Sequence, residues 1–282
     1  MHTQFFTNTL VSSTFWLRSS GKWQAAFAKL KHAVLAMAAV SMLFAQSPAS
    51  AAEVASSQKT IVLVHGAFAD GSSWDKVVPL LQAKGFKVVA VQNPLSSLAD
   101  DVATTKRAID AQAGQVILVG HSWGGAVITQ AGIDDKVKAL VYVAAFAPSE
   151  AQSVLDTGKD YPPAPGSQHL EADAGGFVKL TTKAMAEDFA QDLPVAKTAL
   201  LAVSQGPILG KSFGEPLQAA AWKTKPSWYV LTTKDRMILP ELQAAMAKKI
   251  GATVTSVASS HAVMLSQPQA VVNVILAAAK GN

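Results

Sequence analysis

QVILVG-HSWGG-AVITQA, residues 115–131, joins an apolar run to a helical pattern through a turn that holds a serine between glycines. The apolar run has the length and β-branched content of a buried strand, and the residues after the turn suit a helix. Gly120, Ser122 and Gly124 fit the pattern G-x-S-x-G, which in this context predicts a nucleophile elbow. Such a turn projects the serine hydroxyl above the sheet, where the N–H groups of the new helix face a developing oxyanion. We therefore predict that Ser122 is a nucleophile; the alternative is a glycine-rich turn without chemistry.

Five further apolar runs resemble the one that precedes Gly120, and most are separated by helical patterns. Runs that are apolar throughout, rather than alternating, suit strands covered on both faces. The predicted strands are 60–65, 86–92, 115–120, 137–145, 228–233 and 253–258, and the predicted helices are 73–84, 100–113, 122–131, 240–250 and 267–280. This alternation predicts an α/β fold with a doubly wound, mostly parallel sheet.

The segment from Pro148 to Lys225 breaks this alternation. It has no clear strand, a Pro- and Gly-rich stretch at 161–166 and several helical pieces. About 75 residues between two strands exceed what a simple crossover needs. We predict a helical cap at about 148–225, inserted between sheet strands of a domain that spans 53–282. The alternative is a crossover helix with long loops.

A serine nucleophile needs a base, and the histidines of the chain differ in their suitability. Folds with this elbow carry the triad in the order Ser, acid, His. Only His261 follows a late strand, at the carboxyl edge where open α/β sheets place their sites. We predict His261 as the base, whereas His65 and His121 suit loop packing or hydrogen bonding and His169 suits a surface or cap role.

The predicted acid is Asp235, which follows the strand at 228–233 and precedes His261. A carboxylate there can accept the imidazole N–H and stabilise the imidazolium. The alternative is a surface aspartate paired with Lys234 or Arg236. The oxyanion hole needs two backbone donors. We predict the N–H of Trp123, the residue after the serine, and the N–H of Ala67, in the loop after the first strand.

The first fifty residues have the pattern of an export leader, which we predict at 1–52. Lys29 and Lys31 precede an apolar run at 33–45, and the small residues 49–52 follow it. The apolar run is short for a bilayer span, although a retained membrane anchor is the alternative. Of the 24 basic residues four precede Glu53, and none of the 19 acidic residues does, so residues 53–282 carry a net charge of +1. We expect a periplasmic or secreted protein without a nucleic-acid partner or stable membrane association once the leader is removed.

Four motifs together resemble the α/β-hydrolase superfamily: HGAF at 65–68, GHSWGG at 120–125, TTKDRMI at 232–238 and SSHAVMLSQP at 259–268. They are most similar to the branch of plant methyl-ester esterases and hydroxynitrile lyases and their bacterial relatives. The resemblance implies Ser122, Asp235 and His261 as the triad, Ala67 and Trp123 as oxyanion donors, and no metal or organic cofactor. The lyases carry a bulkier, hydroxyl-bearing residue where this chain has Gly66 and a lysine where it has Ala262, so both positions favour ester hydrolysis.

The expected function is therefore serine-dependent hydrolysis of a small or medium-sized carboxylic ester through an acyl-enzyme, by a carboxylesterase-like protein that is a monomer or dimer. The same triad also suits acyl transfer to an alcohol or amide hydrolysis. A binding protein that keeps the fold without the chemistry is a further alternative. A metallohydrolase lacks support because the sequence shows no clustered metal-ligand spacing, and the chain has no cysteine for thiol catalysis or a disulfide.

Overall fold

The computed structural model describes residues 59–281, so the predicted leader at 1–52 lies outside the described residues. Its main feature is a six-stranded sheet in the order β2-β1-β3-β4-β8-β9, in which every neighbouring pair is parallel. The six strands of this sheet are β1 (Thr60–Val64), β2 (Lys87–Val91), β3 (Val116–His121), β4 (Val137–Val143), β8 (Ser227–Thr232) and β9 (Thr253–Val257). All six predicted strands are present, which confirms the expected α/β fold class.

Burial explains which predicted strands lie in the middle of the sheet. β1, β3 and β8 are buried along their whole length, and β4 at all but one residue. The edge strands differ: β2 is only partly buried, and β9 is largely exposed, with Val254 45% exposed. The expectation that every apolar run is covered on both faces is therefore wrong at the edges, where a strand has only one neighbour.

Helices pack around this sheet, and most lie close to their predicted positions. They are α1 (Val78–Gln82), α2 (Leu98–Asp110), α3 (Gly124–Ala131), α4 (Val154–Gly158), α5 (Thr182–Ala184), α6 (Val195–Ser204), α7 (Pro240–Lys249), α8 (Val263–Ser266) and α9 (Pro268–Lys280). The helix predicted at 73–84 is instead a 3-10 turn at Gly71–Trp74 followed by α1. The helix after the serine begins at Gly124 rather than Ser122, because Ser122 has a φ of +54° that no α-helix accommodates.

The insertion, residues 148–225, lies between β4 and β8, which are neighbours in the sheet. It contains α4, α5 and α6 as well as a π-helix at Met185–Phe189. It also contains a small antiparallel sheet that the sequence analysis did not anticipate, built from β5 (Leu170–Ala172), β6 (Phe177–Leu180) and β7 (Ile208–Leu209). These strands have two to four residues each, too short to give a periodic signal.

Candidate active site

The topology brings the predicted site residues to one edge of the sheet. Parallel strands end on the same side, and the chain reverses its winding direction beside β1, which lies between β2 and β3. Ala67 follows β1 and Ser122 follows β3, and because these strands are neighbours in the sheet, the two residues lie close together. Asp235 and His261 likewise follow the neighbouring strands β8 and β9. Four sequence-distant residues therefore meet at the carboxyl edge.

Ser122 sits in a strained turn that hydrogen bonds hold in place. Its φ of +54° is a left-handed conformation that costs a non-glycine residue roughly 1–2 kcal/mol. The carbonyl oxygen of Ser122 accepts hydrogen bonds from the N–H groups of Gly125 (2.9 Å) and Phe146 (3.1 Å), which fix the turn. A Cβ on Gly124 would lie 2.5 Å from the Val64 carbonyl oxygen, so only glycine lets α3 start this close to β1. The glycines of the motif are therefore required by the close approach of the backbones.

The predicted base and acid are joined by a buried hydrogen bond. His261 Nδ1 lies 2.7 Å from Asp235 Oδ2, and both side chains are almost completely buried. The ionised carboxylate only accepts, so Nδ1 carries the proton. The neutral ring therefore keeps the Nε2 lone pair available as a base.

Asp235 is itself held by a full set of donors. Besides the imidazole, Oδ2 accepts hydrogen bonds from Thr232 Oγ1 (2.8 Å) and Gln243 Nε2 (2.9 Å). Its Oδ1 accepts from the N–H groups of Met237 (2.8 Å) and Ile238 (2.9 Å). The alternative of a surface carboxylate paired with Lys234 or Arg236 is wrong, since Asp235 is 4% exposed and Arg236 instead pairs with Asp188. Five donors around one buried carboxylate fix its orientation.

Ser122 and His261 line the same cavity, together with Ala67. This cavity, which we call the nucleophile cavity after the role predicted for Ser122, has a volume of about 270 Å³, and its other lining residues are mostly apolar. Within residues 59–281 no hydrogen bond joins the Ser122 hydroxyl to the His261 ring. Catalytic hydrogen bonds are often long in unliganded enzymes and shorten when substrate binds.

The loop after β1 comes unusually close to the serine. A Cβ on Gly66 would lie 2.6 Å from Ser122 Cβ and 3.0 Å from the His121 carbonyl oxygen. A bulkier residue, such as the lyases carry at this position, has no room here. The close approach brings the peptide between Gly66 and Ala67 next to Ser122, the position at which the predicted oxyanion donor is expected.

His65 orients that same peptide. Its Nε2 accepts a hydrogen bond from the Asn93 N–H (2.9 Å), so its Nδ1 carries the proton and donates to the Gly66 carbonyl oxygen (2.8 Å). Burial lowers the pKa of His65, which favours this neutral form. Because the C=O and N–H of a trans peptide point in opposite directions, fixing the Gly66 carbonyl also fixes the direction of the Ala67 N–H.

His121 and His169 have structural environments. His121 Nε2 donates to the His261 carbonyl oxygen (3.0 Å), and burial lowers the pKa of His121 well below its ordinary value. His169 is half exposed and lies 3.4 Å from Asp188. In the described part of the chain neither ring is hydrogen-bonded to Ser122, in agreement with the roles expected for them.

Two carboxylates, the buried Asp101 and the exposed Asp192, support the site without being evident in the sequence. Asp101, in the first turn of α2, is fully buried and accepts hydrogen bonds from Trp123 Nε1 (2.7 Å) and the Leu95 N–H (2.8 Å). Burial raises the pKa of Asp101 to about 6. Nothing in the local sequence shows that this side chain reaches Trp123, the residue after Ser122.

Asp192, in the insertion, is the second of these carboxylates. It accepts from the Ser260 N–H (2.9 Å), Ser259 Oγ (3.0 Å) and Ser260 Oγ (2.5 Å), directly before His261. Partial burial opposes ionisation, but these donors outweigh it and lower the pKa of Asp192. The insertion therefore anchors the loop that carries the predicted base.

Residues 59–281 contain no group of three or more His, Cys, Asp or Glu side chains placed to hold a metal ion. None of the helices in this range combines the length and apolar character needed to cross a bilayer.

Comparisons with known proteins agree with this architecture. The Alpha/beta hydrolase nvfD of Aspergillus novofumigatus is 30% identical over 246 residues, which cover 78% of this chain and 96% of that relative. The esterase PIR7B of Oryza sativa is 26% identical over 258 residues, covering 78% and 96%. The crystal structure of polyneuridine aldehyde esterase superposes with a TM-score of 0.68 at 22% identity, covering 78% of this chain and 98% of that one, which shows the shared fold. Because residues 61–274 match the alpha/beta hydrolase family, the chain belongs to that family.

Proposed function

We propose that this protein is a serine esterase that cleaves a carboxylic ester through an acyl-enzyme on Ser122. The family membership and the hydrolase and esterase names of its relatives support ester hydrolysis. The observation that carries the serine mechanism is the buried 2.7 Å hydrogen bond between His261 Nδ1 and Asp235 Oδ2, beside a cavity that His261 shares with Ser122. This pair holds the imidazole in the tautomer that a general base needs.

In the first step, Ser122 Oγ attacks the ester carbonyl carbon while His261 Nε2 takes the hydroxyl proton. The carbonyl oxygen gains negative charge, which the N–H groups of Ala67 and Trp123 stabilise. The bond from the carbonyl carbon to the alcohol oxygen then breaks. His261 returns its proton to that oxygen, so the alcohol leaves neutral and the acyl group stays on Ser122.

In the second step, water replaces the alcohol in the reverse sequence. His261 Nε2 takes a proton from water as the water oxygen bonds to the acyl carbon. The bond between this carbon and Ser122 Oγ then breaks, and Oγ recovers the proton. The sum is one ester and one water converted to one acid and one alcohol, with Asp235 ionised throughout to stabilise the imidazolium.

Replacing the nucleophile tests this proposal. Ser122→Ala should lower kcat on p-nitrophenyl acetate by on the order of 10⁶, as in other serine hydrolases. A fluorophosphonate probe should label the wild type on Ser122, which peptide mass spectrometry locates, and should not label the variant. Wild-type turnover by Ser122→Ala would refute the serine mechanism. Absence of both turnover and labelling in the folded wild type would favour a catalytically silent binding protein.

We also propose that residues 1–52 direct export and are removed. The basic residues Lys29 and Lys31, the apolar run at 33–45 and the small residues at 49–52 support this. Expression of the full chain in a Gram-negative host, followed by N-terminal sequencing of the periplasmic fraction, tests it. Cleavage after Ala51 or Ala52 is the expected result, and an uncleaved protein in the membrane fraction would indicate an anchor instead.

A further inference from the structure

A second cavity of about 340 Å³ adjoins the nucleophile cavity. The two cavities share six lining residues: Phe146, Val154, Leu155, Ser167, Met237 and Ile238. We propose that the two cavities form one bent binding site, and that the preferred substrate is an ester with a bulky apolar group on both its acyl and its alcohol side. This inference rests on the proposed function, because it requires the ester carbonyl to lie at Ser122.

The chemistry of an ester calls for two diverging spaces. Its carbonyl carbon must reach Ser122, and the acyl and alcohol groups leave that carbon in different directions. The nucleophile cavity, at about 270 Å³, falls just below the range of roughly 300–1,000 Å³ typical of ligand pockets. It therefore has room for one of the two groups, and the second cavity gives the other group a place of similar size.

The junction between the cavities is apolar and partly open to solvent. Leu155 lines both cavities yet is 63% exposed, and Leu170, at the nucleophile cavity, is 38% exposed. Leaving such side chains in water is unfavourable, and an apolar ligand that covers them recovers this free energy. Met237, the other flexible residue shared by the two cavities, has an unbranched side chain that adapts to irregular ligands.

The charges around the two cavities favour a neutral substrate. Among the described residues that line them, Lys159 is the one with a formal charge when His261 is neutral, and it is exposed. No pair of basic side chains is therefore available there to bind an acidic substrate. The expected substrate class is a neutral ester with two apolar arms.

Gly158 provides a way to fill the second cavity alone. It lines that cavity but not the nucleophile cavity. A Cβ at this position would meet only Leu242 Cδ2, at 3.7 Å, an ordinary contact with another lining residue of the second cavity. A larger side chain can therefore be added without a backbone conflict, and Gly158→Phe would occupy the proposed second arm of the site.

Three esters separate one-armed from two-armed binding. Methyl benzoate and benzyl acetate each carry one ring, on opposite sides of the ester, and benzyl benzoate carries both. Gly158→Phe should lower kcat/KM for benzyl benzoate by about tenfold or more, the loss expected when one apolar ring can no longer be buried. The oxyanion donors and His261 fix which side of the ester enters each cavity. The one-ring ester whose ring occupies the unaltered cavity should therefore stay within about twofold of wild type, and the other should fall about as far as benzyl benzoate.

The control variant is measured with the same three esters. Ala199→Phe, on the exposed face of α6 and outside both cavities, should leave all three values unchanged. The inference would be overturned if a folded Gly158→Phe kept the wild-type ratios of kcat/KM among the three esters, either with no loss or with an equal loss of kcat/KM on all three. If the phenylalanine prevents folding, Gly158→Leu is judged by the same ratio. Failure of the proposed function is distinct, because the wild type would then hydrolyse none of the esters.

Discussion

Gly66 offers a direct test of how closely the loop after β1 must approach the nucleophile. The perturbation is Gly66→Ala, which adds one methyl group to a residue at hydrogen-bond distance from His65 and in contact with the elbow. The added carbon would lie 2.6 Å from Ser122 Cβ, 3.0 Å from the His121 carbonyl oxygen and 3.2 Å from His121 Nδ1. Two of these three neighbours are not the ends of flexible side chains, so the loop or the elbow must move.

The size of the effect follows from these distances. Carbon atoms pack at about 3.5–4.0 Å, so the loop and the serine must separate by about 1 Å. A displacement of about 1 Å at reacting groups can cost about 10²-fold in rate. Overpacking of this kind destabilises by about 1–3 kcal/mol, which for a domain of this size lowers Tm by roughly 2–12 °C. We therefore expect a folded protein with about 1% of the wild-type kcat/KM.

The assay is kcat/KM for p-nitrophenyl acetate, measured beside thermal unfolding followed by circular dichroism. Gly214→Ala is the matched control, because a Cβ there meets only Leu155 Cδ1, at 3.7 Å. It should leave activity and Tm close to wild type. If Gly66→Ala retained wild-type kcat/KM, the close approach of Gly66 to Ser122 would have no role in catalysis, and Ala67 would lose its main support as an oxyanion donor.

Two further predictions concern the carboxylates Asp192 and Asp101. Asp192→Asn replaces an acceptor of three hydrogen bonds from Ser259 and Ser260 with an amide, so kcat should fall about tenfold through misplacement of His261. KM for Asp192→Asn should stay unchanged. The control Asp173→Asn, in the exposed β5–β6 turn, should leave kcat and KM unchanged. If Asp192→Asn were as active as Asp173→Asn, Asp192 would have no role in positioning His261. The pKa of Asp101 is raised from 3.8 to about 6 in the folded protein. Between these two pH values the folded protein binds more protons than the unfolded chain, so the contribution of Asp101 to the free energy of unfolding falls as pH rises from one value to the other. The free energy of unfolding of Asp101→Asn, measured by urea denaturation, should therefore rise relative to wild type between pH about 4 and about 7. A constant difference across that window would show that Asp101 does not titrate there.

The sequence determined the sheet and the order of the predicted site residues along it. The apolar runs and the glycine-flanked serine are local patterns, and each strand or helix signal depends on residues close in the chain. For this reason all six strands of the main sheet were predicted, and Ser122, Asp235 and His261 were each expected at the end of a strand. The parallel arrangement then brought these ends to one edge, where His261 and Asp235 meet at 2.7 Å.

The tertiary structure alone decided what surrounds these residues. The antiparallel strands of the insertion are too short to carry a periodic signal, and the strand pairing that creates them is non-local. Asp101 and Asp192 gain their roles only when folding places them beside Trp123 and Ser260, which are 22 and 68 residues away along the chain. The two adjoining cavities likewise arise from packing between α4, the loop at Met237 and the elbow. Such contacts cannot be predicted from the local sequence, because the burial of a side chain and its hydrogen-bond partners depend on the whole fold.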